Sequence, residues 1–391
     1  MIVSRLKLKN WRNFQFVDVE LKERVFVVGP NASGKSNLLE VFRFLRDIAK
    51  HGGGLQQAVE DHGGLSKMRC LAARQHPDIE VEVSLSESND AKPDWRYSIG
   101  IKQEVRGFRQ PYLAYERVWG DGKQLLNRPD ADDQKDKLRL TQTHLEQINA
   151  NKEFRVVANF FDSTAYLHLV PQVLRFPQAF AGKEIPGDPF GRHFMERVAR
   201  TPIKTRRARL KNIERALRAA VPQLKGLTDI KDESGITHLE AVYEHWRPQG
   251  AKQREDQFSD GTLRLLGLLW SLLEGDDLLL LEEPELSLNS GIVSRLPALI
   301  YRLRNRSKKK GQVILTTHSF DLLSDKGVGA EEVLLLTPTD QEGTQVEKVS
   351  DIADVKRLLE GGMTIGEAVL PRVTPKDVNQ LEFSFGTHDP N

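Results

Sequence analysis

Cysteine is nearly missing from this sequence: Cys70 is the single one among 391 residues. No internal disulfide framework is possible, and the composition suits a reducing compartment. A long apolar segment is missing too. The longest run, Leu265–Leu273, stops at Glu274, far short of the ~20 residues needed to cross a bilayer. Charge imbalance is also absent, since 57 Lys and Arg meet 55 Asp and Glu and leave a formal net +2. Composition alone therefore does not mark a nucleic-acid binder. Internal repeats, low-complexity tracts and the sustained heptads of a long coiled coil are all lacking. The opening stretch MIVSRLKLKNWRNF alternates apolar with basic or polar residues, the pattern of a strand and not of a secretion signal. The expectation is a cytoplasmic α/β protein, with no membrane span and enough chain to bury a substantial core.

What is present begins with VFVVGPNASGKSN. The run Val25–Val28 reads as a buried strand, and Leu38, Val41, Phe42, Leu45 and Ile48 recur on one side of a helix. Between them lies G-x-x-x-x-G-K-S, the spacing with which backbone N–H groups at a helix N-terminus wrap a phosphate. Gly29, Asn31, Ser33, Gly34 and Asn37 belong to this cradle. Lys35 is placed to reach the β- and γ-phosphates, and the Ser36 hydroxyl to bind Mg²⁺, so ATP and Mg²⁺ are the expected ligands.

A second element is DLLLLEEPE, from Asp277 to Glu285. Its unbroken apolar run suits a central parallel strand covered on both faces, whose C-terminal acids face the ligand crevice. Glu282 is expected to hold Mg²⁺ and Glu283 to orient and deprotonate the attacking water. Glutamate at the first position is one methylene longer than the aspartate most phosphate-loop enzymes carry. A third element, VILTTHS, is another buried strand, and it ends at His318, either a donor to the γ-phosphate and water or a structural histidine. FSDGTLR, from Phe258 to Arg264, puts a hydroxyl and a glycine at the start of an apolar helix, a second arrangement suited to phosphate.

Together and in this order, these elements resemble the ATP-binding-cassette ATPases of the RecF, OLD and SMC type. The resemblance implies an α/β phosphate-loop fold: an ABC-ATPase head with an antiparallel β-subdomain and a helical signature lobe. Lobe I would comprise residues 1–172 and 276–391, with the β-subdomain at about 79–165, and lobe II residues 173–275. FSDGTLR matches the family signature, with Asp260 and Thr262 where glycine and glutamine are frequent. Ser259 and Gly261 would contact the γ-phosphate of ATP held by a second copy, giving an ATP-dependent head-to-tail dimer. By the same resemblance Gln172 matches the glutamine that senses Mg²⁺ and water, or is an ordinary loop residue. Arg12 and Asn13 match a turn near the nucleotide, or form a surface turn.

Strands are expected at Asp78–Leu85, Trp95–Val105 and Tyr112–Trp119, with a hairpin formed by Leu227–Ile230 and Thr237–His245. Short basic helices broken by Pro202 and Pro222 are expected in 188–222. The span from Ser36 to Ser259 is too short for the coiled coil of SMC proteins. After His318 no glutamate and D-x-D set of a Toprim nuclease follows, so any nuclease would be a separate chain. Segments such as LLLLEEPELSL also look like stand-alone bacterial ATPases that sit beside a Toprim-like nuclease and are linked to anti-phage defence. The alternative is a RecF-like mediator of recombination or repair. The basic stretches Arg206–Lys211 and Arg302–Lys310 read either as solvated surface or as contacts for DNA backbone or an acidic partner.

Overall fold

The computed structural model describes residues 1–72, 78–89, 91–104, 110–180, 185, 187–244, 250–275, 277–306, 311–339 and 343–374. Val105, His245, residue 276 at a lobe boundary, and Lys308–Lys310 lie outside the described residues.

The strands in chain order are β1 (Ile2–Trp11), β2 (Phe14–Glu20), β3 (Arg24–Val28), β4 (Ile79–Ser86), β5 (Trp95–Gln103), β6 (Pro111–Gly120), β7 (Lys123–Arg128) and β8 (Ala165–Leu167). They continue as β9 (Leu224–Lys231), β10 (Thr237–Tyr243), β11 (Ala251–Arg254), β12 (Leu278–Glu282), β13 (Gln312–Thr317), β14 (Val333–Thr339) and β15 (Gly343–Lys348). Twelve of them form one sheet in the order β7-β6-β5-β4-β1-β2-β15-β14-β3-β13-β12-β8. The β14, β3, β13, β12 and β8 end is parallel, and everything from β15 outward to β7 is antiparallel.

The apolar runs of the parallel end are buried on both faces, as their composition demands. Leu278 and Leu280 of β12 point into one core, which also holds Phe42, Leu45 and Phe161. Leu279 and Leu281 point into the other, which holds Leu266, Trp270 and Leu217. The period-two geometry of a strand thus joins two helical layers through one sheet.

The antiparallel strands do not stand apart from this sheet. β1 pairs with β2 on one side and β4 on the other, which makes the antiparallel wing continuous with the nucleotide end. β7 was not anticipated, although Asp121 and Gly122 both have left-handed φ (50° and 76°), the Asp-Gly hairpin signal. The hairpin β9–β10 gains a third strand, β11. The basic segment holds two helices, Phe194–Arg200 and Ile203–Ala220, divided at Pro202 and ended before Pro222 as expected, the second longer than a short helix at 18 residues. Pro202 serves as the N-cap of the second helix, where its missing N–H costs nothing.

Candidate functional site

The loop after β3 enters the helix Lys35–Ala49 through Gly34, whose φ of 96° is open to glycine. A Cβ there would meet the Asn13 side chain at 2.2 Å. Asn13 itself donates to the Ser33 carbonyl (2.8 Å) and to Thr344 Oγ1 (2.7 Å), and accepts from Asn37 Nδ2 (2.8 Å). It therefore clamps the outside of the loop to β15. Arg12 turns instead to Glu40 (2.7 Å) and to the carbonyls of His62 and Lys67. Asn31 sits on the exposed rim of the loop.

Lys35 folds over the loop and donates to the carbonyls of Gly29 (2.9 Å) and Pro30 (3.0 Å). Burial pushes its pKa down, while Glu283, Glu282 and Glu285 oppose that shift. The Ser36 hydroxyl donates to one oxygen of Glu282, and the Tyr166 hydroxyl donates to the other. Glu282 ends β12 in register with Thr316 of β13, so the sheet itself sets its height beside the loop.

Glu283 follows with a left-handed φ of 43°, a conformation costly for a non-glycine residue. Its N–H bonds the Thr316 carbonyl (3.2 Å) and Oγ1 (3.2 Å), and the Arg264 guanidinium reaches its carbonyl (3.2 Å). These contacts hold the strained turn and aim the carboxylate at His318, whose Nδ1 lies 3.1 Å from Glu283 Oε1. Glu285 is buried and accepts from Thr317 Oγ1 (2.6 Å), while its Oε2 has no partner; burial raises its pKa. Lys35, Ser36, Glu282, Glu283 and His318 are thus gathered around one cradle.

Gln172 bonds to the start of the FSDGTLR stretch, whose Arg264 also reaches the Glu283 turn. Gln172 Nε2 donates to Asp260 Oδ2 (2.9 Å), and Arg175 bonds Asp260 Oδ1 (2.7 Å) and the Phe258 carbonyl (2.6 Å). The glutamine expected beside Mg²⁺ is therefore tied to the signature turn of its own chain. Ser259 is exposed and caps the helix Asp260–Glu274, accepting from Thr262 N (3.2 Å). A Cβ on Gly261 would stand 2.7 Å from the Ser287 carbonyl, so glycine there allows the turn after β12 to pack against the signature. Tyr166 had no signal of its own in the sequence, because its role arises only when β8 pairs with β12.

Residues 24–325 match the family described as "AAA domain, putative AbiEii toxin, Type IV TA system". The chain belongs to this AAA-domain family. Shorter similarities link it to the DNA replication and repair protein RecF. It is 33% identical to that of Synechocystis sp. over 22% of this chain and 23% of the relative. The figure is 32% for that of Lactobacillus johnsonii, over 24% and 25%. The match thus spans about a quarter of each RecF protein. In fold this family member resembles an SMC head bound to the C-terminal winged-helix domain of ScpA, with TM-score 0.52 and 15% identity over 89% of this chain and 98% of that one. It also resembles a Pyrococcus furiosus SMC head with an extended coiled coil, with TM-score 0.50 and 12% identity over 92% and 99%. The α/β sheet thus carries the fold of SMC heads. No described helix is long and apolar enough to cross a membrane.

Proposed function

We infer that the protein binds and hydrolyses ATP as a switch that works by dimerisation and acts on a separate protein partner. The observation that carries this reading is the strained Glu283 turn, braced by Thr316 and Arg264 and paired with His318, beside Lys35 and the Ser36–Glu282 bond. Such strain persists where the surroundings over-determine it, and it fits a base held ready for water.

The donor set also fits a hard divalent ion. Ser36 and Glu282 offer a hydroxyl and a carboxylate, and Mg²⁺ typically takes few protein oxygens and completes its shell with phosphate and water. Bound there, Mg²⁺ would offset the negative charge of the phosphates. Lys35 would exchange the Gly29 and Pro30 carbonyls for phosphate oxygens. Glu283 would accept the proton of the attacking water, and His318 would fix the direction of that carboxylate.

In this reading residues 173–275 form the lobe that presents the signature. Exposed Ser259 and the N-terminus of the helix it caps would stabilise the γ-phosphate of ATP held by a second copy. Glu283→Gln should then trap an ATP-bound dimer, seen as a doubled mass by light scattering with ATP and Mg²⁺. A variant that stays monomeric under saturating ATP would count against the dimeric switch. A Toprim-like nuclease fits the partner role, and the family's description as a toxin of a type IV system fits a setting in defence.

A second reading, a RecF-like mediator that holds DNA backbone, is favoured by one feature. Lys204, Arg207, Lys211, Arg215 and Arg218 are exposed at helical spacing along Ile203–Ala220 and so share one face. The expected cluster Arg206–Lys211 divides: Arg206 pairs with Asp229 (2.9 Å), and Arg209 lies over Trp270 (5.4 Å). In the other basic stretch Arg304 turns inward to the Gln312 carbonyl (3.1 Å).

A further inference from the structure

Tyr166 is buried on the edge strand β8, in parallel register with Leu280 of β12, two residues before the carboxylate its hydroxyl reaches. The guanidinium of Arg43 lies over its ring, 4.3 Å from the centroid. Arg43 follows Ser36 by about two turns of the same helix, so both lie on one helix face. That face supplies both ends of a chain of contacts: Ser36 to Glu282, Glu282 to Tyr166, and Tyr166 to Arg43.

The chemistry of Glu282 makes this arrangement consequential. A glutamate carries one more rotatable bond than an aspartate, so a single hydroxyl leaves its second oxygen free to swing. Here each oxygen has its own hydroxyl donor, and the second donor sits on a ring wedged between a strand and a cation.

We propose that Tyr166 is a positioning residue for Glu282, fixing the longer carboxylate in the orientation that lets it share a divalent cation with Ser36. The inference rests on the ATP-binding reading above. Its test is the Mg²⁺ dependence of binding by a fluorescent ADP analogue, titrated without turnover. Tyr166→Phe should need about tenfold more Mg²⁺ for half-saturation, the scale of one hydrogen bond to a charged group, with binding in EDTA unchanged. In a Glu282→Asp background the shorter side chain falls short of the hydroxyl, so adding Tyr166→Phe should change nothing further. A Tyr166→Phe protein that titrates as wild type overturns the proposal, as does a tenfold loss that persists in the Glu282→Asp background. Wild-type protein that binds the analogue with no Mg²⁺ response overturns the ATP reading itself, and this inference with it.

Discussion

Gly34 shows how much a single missing methyl decides. Its left-handed φ costs an ordinary residue about 1–2 kcal/mol, and the Cβ of alanine would also collide with Asn13. Gly34→Ala should lower the melting temperature and weaken nucleotide binding, and adding Asn13→Ala should recover part of the stability but not the binding. Both readouts are accessible from thermal melts with and without ATP. The same residues show what can be read from a sequence. The phosphate loop was legible because strand, turn and helix are contiguous from Val25 to Ile48. The destinations of Asn13 and Arg12 were not, since Asn13 meets Thr344 and Arg12 meets Glu40 only after distant segments pack.

Between elements, the helix Lys35–Ala49 is fastened to the following segment through His62. That imidazole is buried between Glu40 (3.0 Å) and Asp47 (3.1 Å), and Arg12 pairs with the same Glu40. Burial opposes the charged ring, but the hydrogen bonds to Asp47 and Glu40 outweigh it and raise its pKa. A raised folded-state pKa gives stability that is fully present below the unfolded value of about 6.5 and is lost as pH climbs through the folded value. Stability should therefore fall as pH rises above that point, and His62→Gln should flatten this dependence in urea titrations across pH. The signature turn offers a second case. Arg175→Met removes bonds to Asp260 and the Phe258 carbonyl, so amide exchange should quicken in 255–262 while the core strands keep their protection. The existence of β12 and β13 was plain from their apolar runs. β11, AKQR, is a short polar edge strand with no such run, and only its pairing with β10 defines it.

For the whole molecule, a net charge near zero hides an uneven surface. Neutralising Lys204, Arg207, Lys211 and Arg215 together should leave the fold intact, because all are exposed. If DNA backbone lies along this helix, each lost contact should reduce the slope of log affinity against log salt by about one. Retention that survives in low salt would move the DNA elsewhere or dismiss it. Here the sequence located basic residues but not which of them face water, since Asp229 and Trp270 claim two of them from other elements.

The strand order has a temporal consequence as well. Among the described residues β3, which delivers the phosphate loop, pairs with β13 and β14, both made about three hundred residues later. Asn13 likewise waits for Thr344. During synthesis the nascent chain therefore carries the loop long before it has a site, and the closing of such distant pairs is slow. A ribosome-held chain ending at residue 275 should not bind ATP, which postpones any nucleotide-driven assembly until β13 and β14 have emerged.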